Sequence, residues 1–423
     1  MIKNLKEEAL AYHGGAKSGK FEICITKPFE SQDDLSLAYT PGVGEVCKEI
    51  ERRPEAAYDY TAKSNLVAVI TNGTAVLGLG DIGALASKPV MEGKAILFKK
   101  FAGLDSFDIE VDEKDPDRFI EIVKALSPTF GGINLEDIKA PECFYIEERL
   151  KALTDIPVMH DDQHGTAIVT TAALINACKL TGRDIEKLKV VIVGSGASAI
   201  ASARMYRYFG IDEIILIDSK GVVHARRDDL SDYKREFAYP VPIDRAQAFQ
   251  GADMVLGLSR AGAITQDDIA LMKDEPFVFV CANPVPEIMP DRVRAVKPKA
   301  IIATGRSDFP NQVNNVLGFP YLFRGALDTR SSAINYEMML SASKALADLA
   351  REPVPSKVKE IYGKDLHFGK EYIIPTPFDP RLLRQISMAV AKAAVASGVA
   401  RKKMDWDRYA EELDELAKRG CSH

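Results

Sequence analysis

The stretch Val190 to Ala203 reads Val-Val-Ile-Val-Gly-Ser-Gly-Ala-Ser-Ala-Ile-Ala-Ser-Ala: four apolar β-formers, a glycine turn, then small residues. A strand that feeds a helix through so tight a turn commits the neighbouring chain to an α/β layer, because parallel strands need crossover helices. Gly194 and Gly196 let the turn tighten and bring the next helix N-terminus close to a pyrophosphate, with Ser195, Ala197 and Ser198 completing the turn. Ala199 stands where the usual fingerprint has its third glycine. A glycine turn alone is weak evidence. Here a second strand, Ile214 to Ile217, follows and ends at Asp218, so strand, turn, helix, strand and acid occur in the order a dinucleotide-binding unit requires. Asp218 suits a ribose 2'-hydroxyl and therefore NAD. Ser219 and Lys220 suit the extra phosphate of NADP, and both cofactors stay open.

Apolar runs at Ile156 to Met159, Lys189 to Val193, Glu213 to Ile217, Asp253 to Leu256, Pro276 to Val280 and Ala300 to Ala303 read as one parallel series covered on both faces. Upstream, Leu66 to Ile70, Val76 to Gly80, Ala95 to Phe98 and Phe107 to Val111 read as strands of a smaller α/β unit. Beyond residue 320 the pattern turns helical. Asp379 is placed as an N-cap with Pro380 at the first helical position, before an apolar run from Leu382 to Val395. Met404 to Arg419 spaces Trp406, Tyr409, Leu413 and Leu416 as an amphipathic helix. The fold class that follows is α/β with two domains. Residues 1–155 form a substrate and metal domain, 156–320 form a Rossmann-like NAD(P)-binding domain, and helices from 321–423 pack back on the first.

Two cores are feasible because 423 residues with 46% hydrophobic content exceed what one ordinary core holds. A net charge of -6 argues against a broad nucleic-acid or anionic-membrane surface, and Arg226-Arg227 reads as a solvated face. The six cysteines, Cys24, Cys47, Cys143, Cys178, Cys281 and Cys421, form no Cys-x-x-Cys pair and suit free thiols. The N-terminus lacks an apolar signal core and no apolar run is long enough for a bilayer, so a cytoplasmic location is expected.

Two acidic pairs precede the glycine turn. Glu136-Asp137 would face opposite ways on a regular strand, so a loop or strand end is needed for both to reach one ion, and Gly131-Gly132 permits such a loop. Asp161-Asp162 ends a short strand and opens a helix, where either aspartate alone would more often be a cap. Several carboxylates together suit Mg2+ or Mn2+ rather than zinc. A hard cation beside a nicotinamide points to oxidation of a hydroxy acid.

The motifs Tyr39 to Val43, Gly78 to Gly83, Met91 to Lys94, Leu135 to Asp137, His160 to Thr166 and Ala282 to Ile288 stand in the order found in malic enzymes, which the chain resembles, continuing through Thr304 to Asn315 and Phe323 to Asp328. The resemblance implies oxidative decarboxylation of malate to pyruvate and CO2 with NAD or NADP. Tyr39 matches the general acid, Lys94 the general base, and Asp161 a residue that holds Lys94. Glu136, Asp137 and Asp162 match the metal ligands, Asn283 and Asn315 amides near substrate and nicotinamide, and Gly194, Gly196 and Ala199 the pyrophosphate turn. It also implies a homodimer or higher homo-oligomer, in which Lys20 or another N-terminal residue can enter a neighbour's cleft. The compact bacterial type is the match, with no phosphotransacetylase-like extension expected after residue 423. Larger members carry an arginine where this chain has Ala75, so the anchor of the malate carboxylate is unassigned. Two rivals remain: a plain hydroxy-acid or malolactic enzyme, and a noncatalytic dinucleotide-binding redox sensor.

Overall fold

The computed structural model describes residues 4–14, 18–76 and 78–419, and among them ten strands form two sheets. The first contains β1 (Leu66–Thr71), β2 (Asp105–Glu110), β3 (Gly132–Leu135) and β4 (Val158–His160) in the order β2-β1-β3-β4, all parallel. The second contains β5 (Lys189–Val193), β6 (Glu213–Asp218), β7 (Gly221–Val222), β8 (Met254–Gly257), β9 (Phe277–Val280) and β10 (Ile301–Thr304) in the order β10-β9-β8-β5-β6-β7. Only the two-residue edge strand β7 runs antiparallel there. The continuous apolar runs of β1, β8, β9 and β10 are buried along their whole length, as strands covered on both faces should be.

Three strand expectations are corrected. Ala95 to Phe98 lies inside a helix, Ala84–Ala102, whose buried Met91, Ala95, Phe98 and Ala102 recur every three or four residues. A four-residue apolar run fits either period, and the longer helical repeat decides it. Val76 and Gly80 meet in one isolated bridge across a turn, not in a strand, and Leu77 lies outside the described residues. The Ile156 to Met159 run becomes β4, which pairs with β3 at the edge of the first sheet instead of opening the second series. Gly132–Leu135, read only as loop-permitting, supplies the strand between.

A 21-residue helix, Asp161–Thr181, leaves β4 and packs against helices Ala197–Tyr208 and Tyr336–Arg351, so it ties the two sheets together. Phe319 and Phe323, on helix Phe319–Asp328, sit edge-on to Phe98 at 4.8 and 5.3 Å. In helix Trp406–Arg419, Tyr409 and Leu413 are buried and the Tyr409 hydroxyl donates to Asp328 at 2.9 Å. One apolar cluster therefore runs from the first sheet through these helices to one face of the second, whose other face has its own core. Asp379 accepts from the Arg381 N–H at 3.0 Å, with the helix starting at Arg381 and Pro380 as its cap, one residue later than expected.

The N-terminal segment is different. Helices Leu5–His13, Gln32–Ala38 and Val43–Arg52 bury no residue, and Ile23, Ile25, Phe29, Leu37 and Tyr39 are exposed. Cys24, Cys47, Cys143, Cys178 and Cys281 are free thiols, while Cys421 lies outside the described residues. Among the described residues no helix is long and apolar enough to cross a membrane.

Candidate active site

The site forms where the C-terminal ends of β3 and β4 meet the helix that carries Lys94. Glu136 leaves β3 with its N–H on the Ile70 carbonyl, and Asp137 then takes a left-handed conformation, φ 53°. That turn is what the strand argument required, since it breaks the alternation that would send the two carboxylates apart. Asp162 comes from the first turn of the helix after β4, and its Oδ2 accepts the Asp137 N–H at 2.7 Å. One carboxylate oxygen each from Glu136, Asp137 and Asp162 lies within 4.8 Å of the others. Neither Asp161 nor Asp162 caps the helix: the His160 ring takes that role, accepting the Gln163 N–H at 3.3 Å.

Lys94 joins this cluster from the opposite side. Its Nζ lies 2.7 Å from Asp161 Oδ2 and 2.9 Å from Glu136 Oε1, and 4.2 Å from the centroid of the Phe319 ring. Burial acts to lower the Lys94 pKa, but Asp161 and then Glu136 outweigh it and hold the ammonium well above its usual value. Burial alone therefore does not make this amine a ready base against its two carboxylate neighbours. Glu136 shows the complementary strain: burial pushes it well above the ordinary range, Lys94 opposes, and Asp162, Asp161 and Asp137 add to the rise. A dication placed among these oxygens would relieve that repulsion, and an all-carboxylate donor set suits Mg2+ or Mn2+.

Asn315 reaches the same point from a sequence distance of 154 residues, donating to Asp161 Oδ2 at 3.2 Å while its own oxygen accepts from Thr166 at 3.2 Å. Gly165 leaves the room for this packing, because a methyl group there would lie 2.3 Å from Asp161 Oδ1. Asn283 follows β9 and is exposed, with its carbonyl beside Gly78, which precedes the Lys94 helix. Tyr39 ends helix Gln32–Ala38 and is 67% exposed, outside the buried cluster.

At the second sheet the glycine turn is too tight for side chains at its first position. Gly194 has φ 131°, and a side chain there would strike the Leu258 carbonyl at 2.2 Å. Gly196 caps helix Ala197–Tyr208 and has no side chain to bond the first N–H groups of that helix, which border the turn formed with Ser195, Ala197 and Ser198. Ala199 is fully buried beneath. Asp218, at the end of β6, is held by Arg227 through two bonds of 2.8 and 2.9 Å and by Lys234 at 3.1 Å. Burial works against its ionisation, yet Arg227, the Lys220 N–H and Lys234 bring it below the usual carboxylate range. Arg227 is no solvated charge, contrary to the sequence reading: its side chain is 11% exposed, clamped between Asp218 and Asp229. Lys220 Nζ also turns to Asp229.

Several residues escaped the sequence reading. Glu147 sits buried beneath the site, bonded to His164, Lys151 and the His160 N–H; burial would raise it, but His164 and Lys151 depress it. Lys234 had no local signal. Glu287 stands inside the Ala282 to Ile288 motif, where an acid in an otherwise apolar, proline-rich run was the available clue.

Comparison with known proteins gives matches over most of the chain. Residues 18–151 match the malic enzyme N-terminal domain and residues 163–364 the malic enzyme NAD binding domain. The chain is 56% identical over 412 residues to a probable NADP-dependent malic enzyme of Rickettsia prowazekii, covering 96% of this chain and 54% of that protein. It is 54% identical over 403 residues to an NADP-dependent malic enzyme of Halomonas elongata, covering 94% of this chain and 95% of the relative. The chain thus spans about half the length of some curated relatives and nearly all of another. A crystal structure of malic enzyme from Pyrococcus horikoshii superposes with TM-score 0.90 at 41% identity, covering 98% of this chain and 96% of that one.

Proposed function

The chain belongs to the malic enzyme family, and on that premise we propose that it oxidatively decarboxylates (S)-malate to pyruvate and CO2, with a divalent cation and with NADP as hydride acceptor. The observation that carries the reading is the meeting of Lys94 with Glu136 and Asp161 beside the oxygens of Asp137 and Asp162. When bound, the nicotinamide would take the C2 hydride and a Mg2+ or Mn2+ ion held by Glu136, Asp137 and Asp162 would supply Lewis acidity.

The side chains then divide the work. Lys94 accepts the C2 hydroxyl proton. Charge on Glu136 committed to a cation no longer holds the Lys94 ammonium, and burial, which favours the neutral amine, gains weight. Asp161 and Asn315 fix the Lys94 amine in place, and Asn283 borders the nicotinamide side. Tyr39 delivers the proton to C3 of the enol that becomes pyruvate. The exposed Tyr39 ring and the uncovered Ile23, Ile25 and Leu37 support a second copy of the chain covering this segment, which makes the enzyme a homodimer or a higher homo-oligomer. Replacing Ile25 and Leu37 together by aspartate is expected to yield monomers in sedimentation velocity with little activity; an unchanged oligomer would remove this segment from the interface.

NADP is favoured over NAD by the environment of Asp218. Its carboxylate is already taken by Arg227 and Lys234, and the three cations Arg227, Lys220 and Lys234 outnumber the two anions Asp218 and Asp229 around the ribose end of the turn. An extra phosphate fits such a surplus better than a hydroxyl seeking an acceptor. Arg227→Ala is therefore expected to raise KM for NADP by about tenfold, the scale of one lost charge-assisted bond, while changing KM for NAD far less. Equal effects on both would assign Arg227 to structure alone.

The deciding assay follows malate with NADP or NAD, with and without Mn2+. Equimolar pyruvate and NADPH appearing only with metal is the expected result. Lactate without net cofactor reduction would favour the malolactic rival, oxaloacetate as the sole product would favour the plain dehydrogenase, and cofactor binding without turnover would favour the sensor.

A further inference from the structure

Glu287 is fully buried in the loop that follows β9. An ionised carboxylate in such a place is costly unless its oxygens are bonded, and among the described residues it has no basic side chain within ion-pair distance. Its partners are backbone. Oε1 accepts the Ser259 N–H at 2.8 Å and Oε2 accepts the Ala282 N–H at 3.2 Å. Ser259 lies just beyond β8 and Ala282 just beyond β9, two adjacent parallel strands whose C-terminal ends border the crevice where a dinucleotide lies. The residues next to those donors face the site: Leu258 supplies the carbonyl against which Gly194 packs, and Asn283 follows Ala282.

The surroundings are shaped for this side chain. Gly257, the last residue of β8, has no side chain where a methyl group would come within 2.7 Å of Glu287 Cδ. Gly305, at the end of β10, is equally close to the loop, since a methyl group there would lie 2.9 Å from Asn283 Nδ2. Burial pushes the Glu287 pKa up, while the N–H groups of Ser259, of Glu287 itself, of Ala282 and of Cys281 work the other way.

We propose that Glu287 is a positioning residue, a buried acceptor of two N–H groups that fixes the loops after β8 and β9 and so holds Asn283 and the Gly194 turn in register for the cofactor. The inference rests on the proposed function only in placing the dinucleotide in this crevice. Its distinguishing chemistry is the two-sided acceptor. Glutamine keeps the volume and one acceptor but turns an NH2 group against the other N–H, and alanine leaves both N–H groups unpartnered.

The test compares Glu287→Gln, Glu287→Asp and Glu287→Ala with the parent protein, each checked for folding by circular dichroism and thermal melting. NADPH affinity is read from nicotinamide fluorescence without substrate, and Mn2+ affinity by calorimetry. The expected result for Glu287→Gln is an NADPH dissociation constant raised about tenfold, a lower kcat and unchanged Mn2+ affinity, with Glu287→Asp similar because its shorter arm cannot span both donors. A folded Glu287→Gln or Glu287→Asp protein with NADPH affinity and kcat within about twofold of the parent would overturn the assignment, as would a lowered melting temperature alone. If Glu287→Ala does not fold, the other two variants decide. NADPH binding needs no malate, so a parent that binds NADPH without oxidising malate would sink the functional reading and leave this one standing.

Discussion

Lys94→Ala is expected to lower malate turnover by about 10³-fold or more while NADPH binding stays close to that of the parent, because removing a positioned general base typically costs about 10² to 10⁴. The structure sharpens the expectation. Lys94 makes two ion pairs in a largely buried pocket, so its removal also leaves Asp161 and Glu136 without their cation. Breaking a buried pair from one side is usually destabilising by about 3–5 kcal/mol, since a charge is left uncompensated. The variant should therefore melt lower in the absence of metal and recover part of the loss with Mn2+. Lys94→Arg keeps the charge but not the ability to lose a proton, and should restore stability without turnover. Malate oxidation that survives in folded Lys94→Ala protein would exclude Lys94 as the base.

The second large effect concerns the three carboxylates. Asp162→Asn should raise the Mn2+ concentration needed for half-maximal activity by more than the roughly 10- to 100-fold that loss of an outer partner brings, because the proposed ligand itself is removed. Asparagine retains an oxygen to accept the Asp137 N–H, so the loop after β3 should hold. Direct calorimetry with Mn2+ alone gives the same answer without catalysis. Thermal melting adds a sign test: a cation at 100 times its dissociation constant stabilises the parent by about 2.7 kcal/mol, and that gain should vanish in the variant. The metal-free variant should melt no lower than the metal-free parent, since one member of the repelling group that raises Glu136 is gone. Unchanged Mn2+ affinity would leave Asp162 as nothing more than an acceptor for the Asp137 backbone.

What the sequence carried was local. The strand and turn from Val190 to Gly196 were legible because apolar β-formers followed by two glycines restrict the backbone within a few residues. The same local reading failed at Ala95 to Phe98, where the deciding repeat extended over 19 residues of helix, and at Ile156 to Met159, where the strand itself was found but its sheet was not. Strand membership in a sheet depends on pairing with distant chain, and no window around Ile156 contains β3.

The proposed catalytic group divides the same way. Glu136-Asp137 and Asp161-Asp162 suggested a cation site by composition and by their position at element ends, and the malic enzyme resemblance pointed to Lys94 and Asn315. Neither supplied the electrostatics. Lys94 and Asp161 are 67 residues apart, and only the placement of the helix Ala84–Ala102 across the ends of β3 and β4 brings them to 2.7 Å. Arg227 looked like a surface charge because its neighbours in sequence are polar, whereas its partner Asp218 lies nine residues away across β7. By itself the sequence determined which segments become strands or turns and which residue types are on hand for chemistry, since backbone preference and periodicity act over a few residues. The tertiary structure alone decided which charges meet, and therefore their protonation, because Coulomb interaction and desolvation depend on distance in space and on burial, neither of which is encoded in any single stretch of chain.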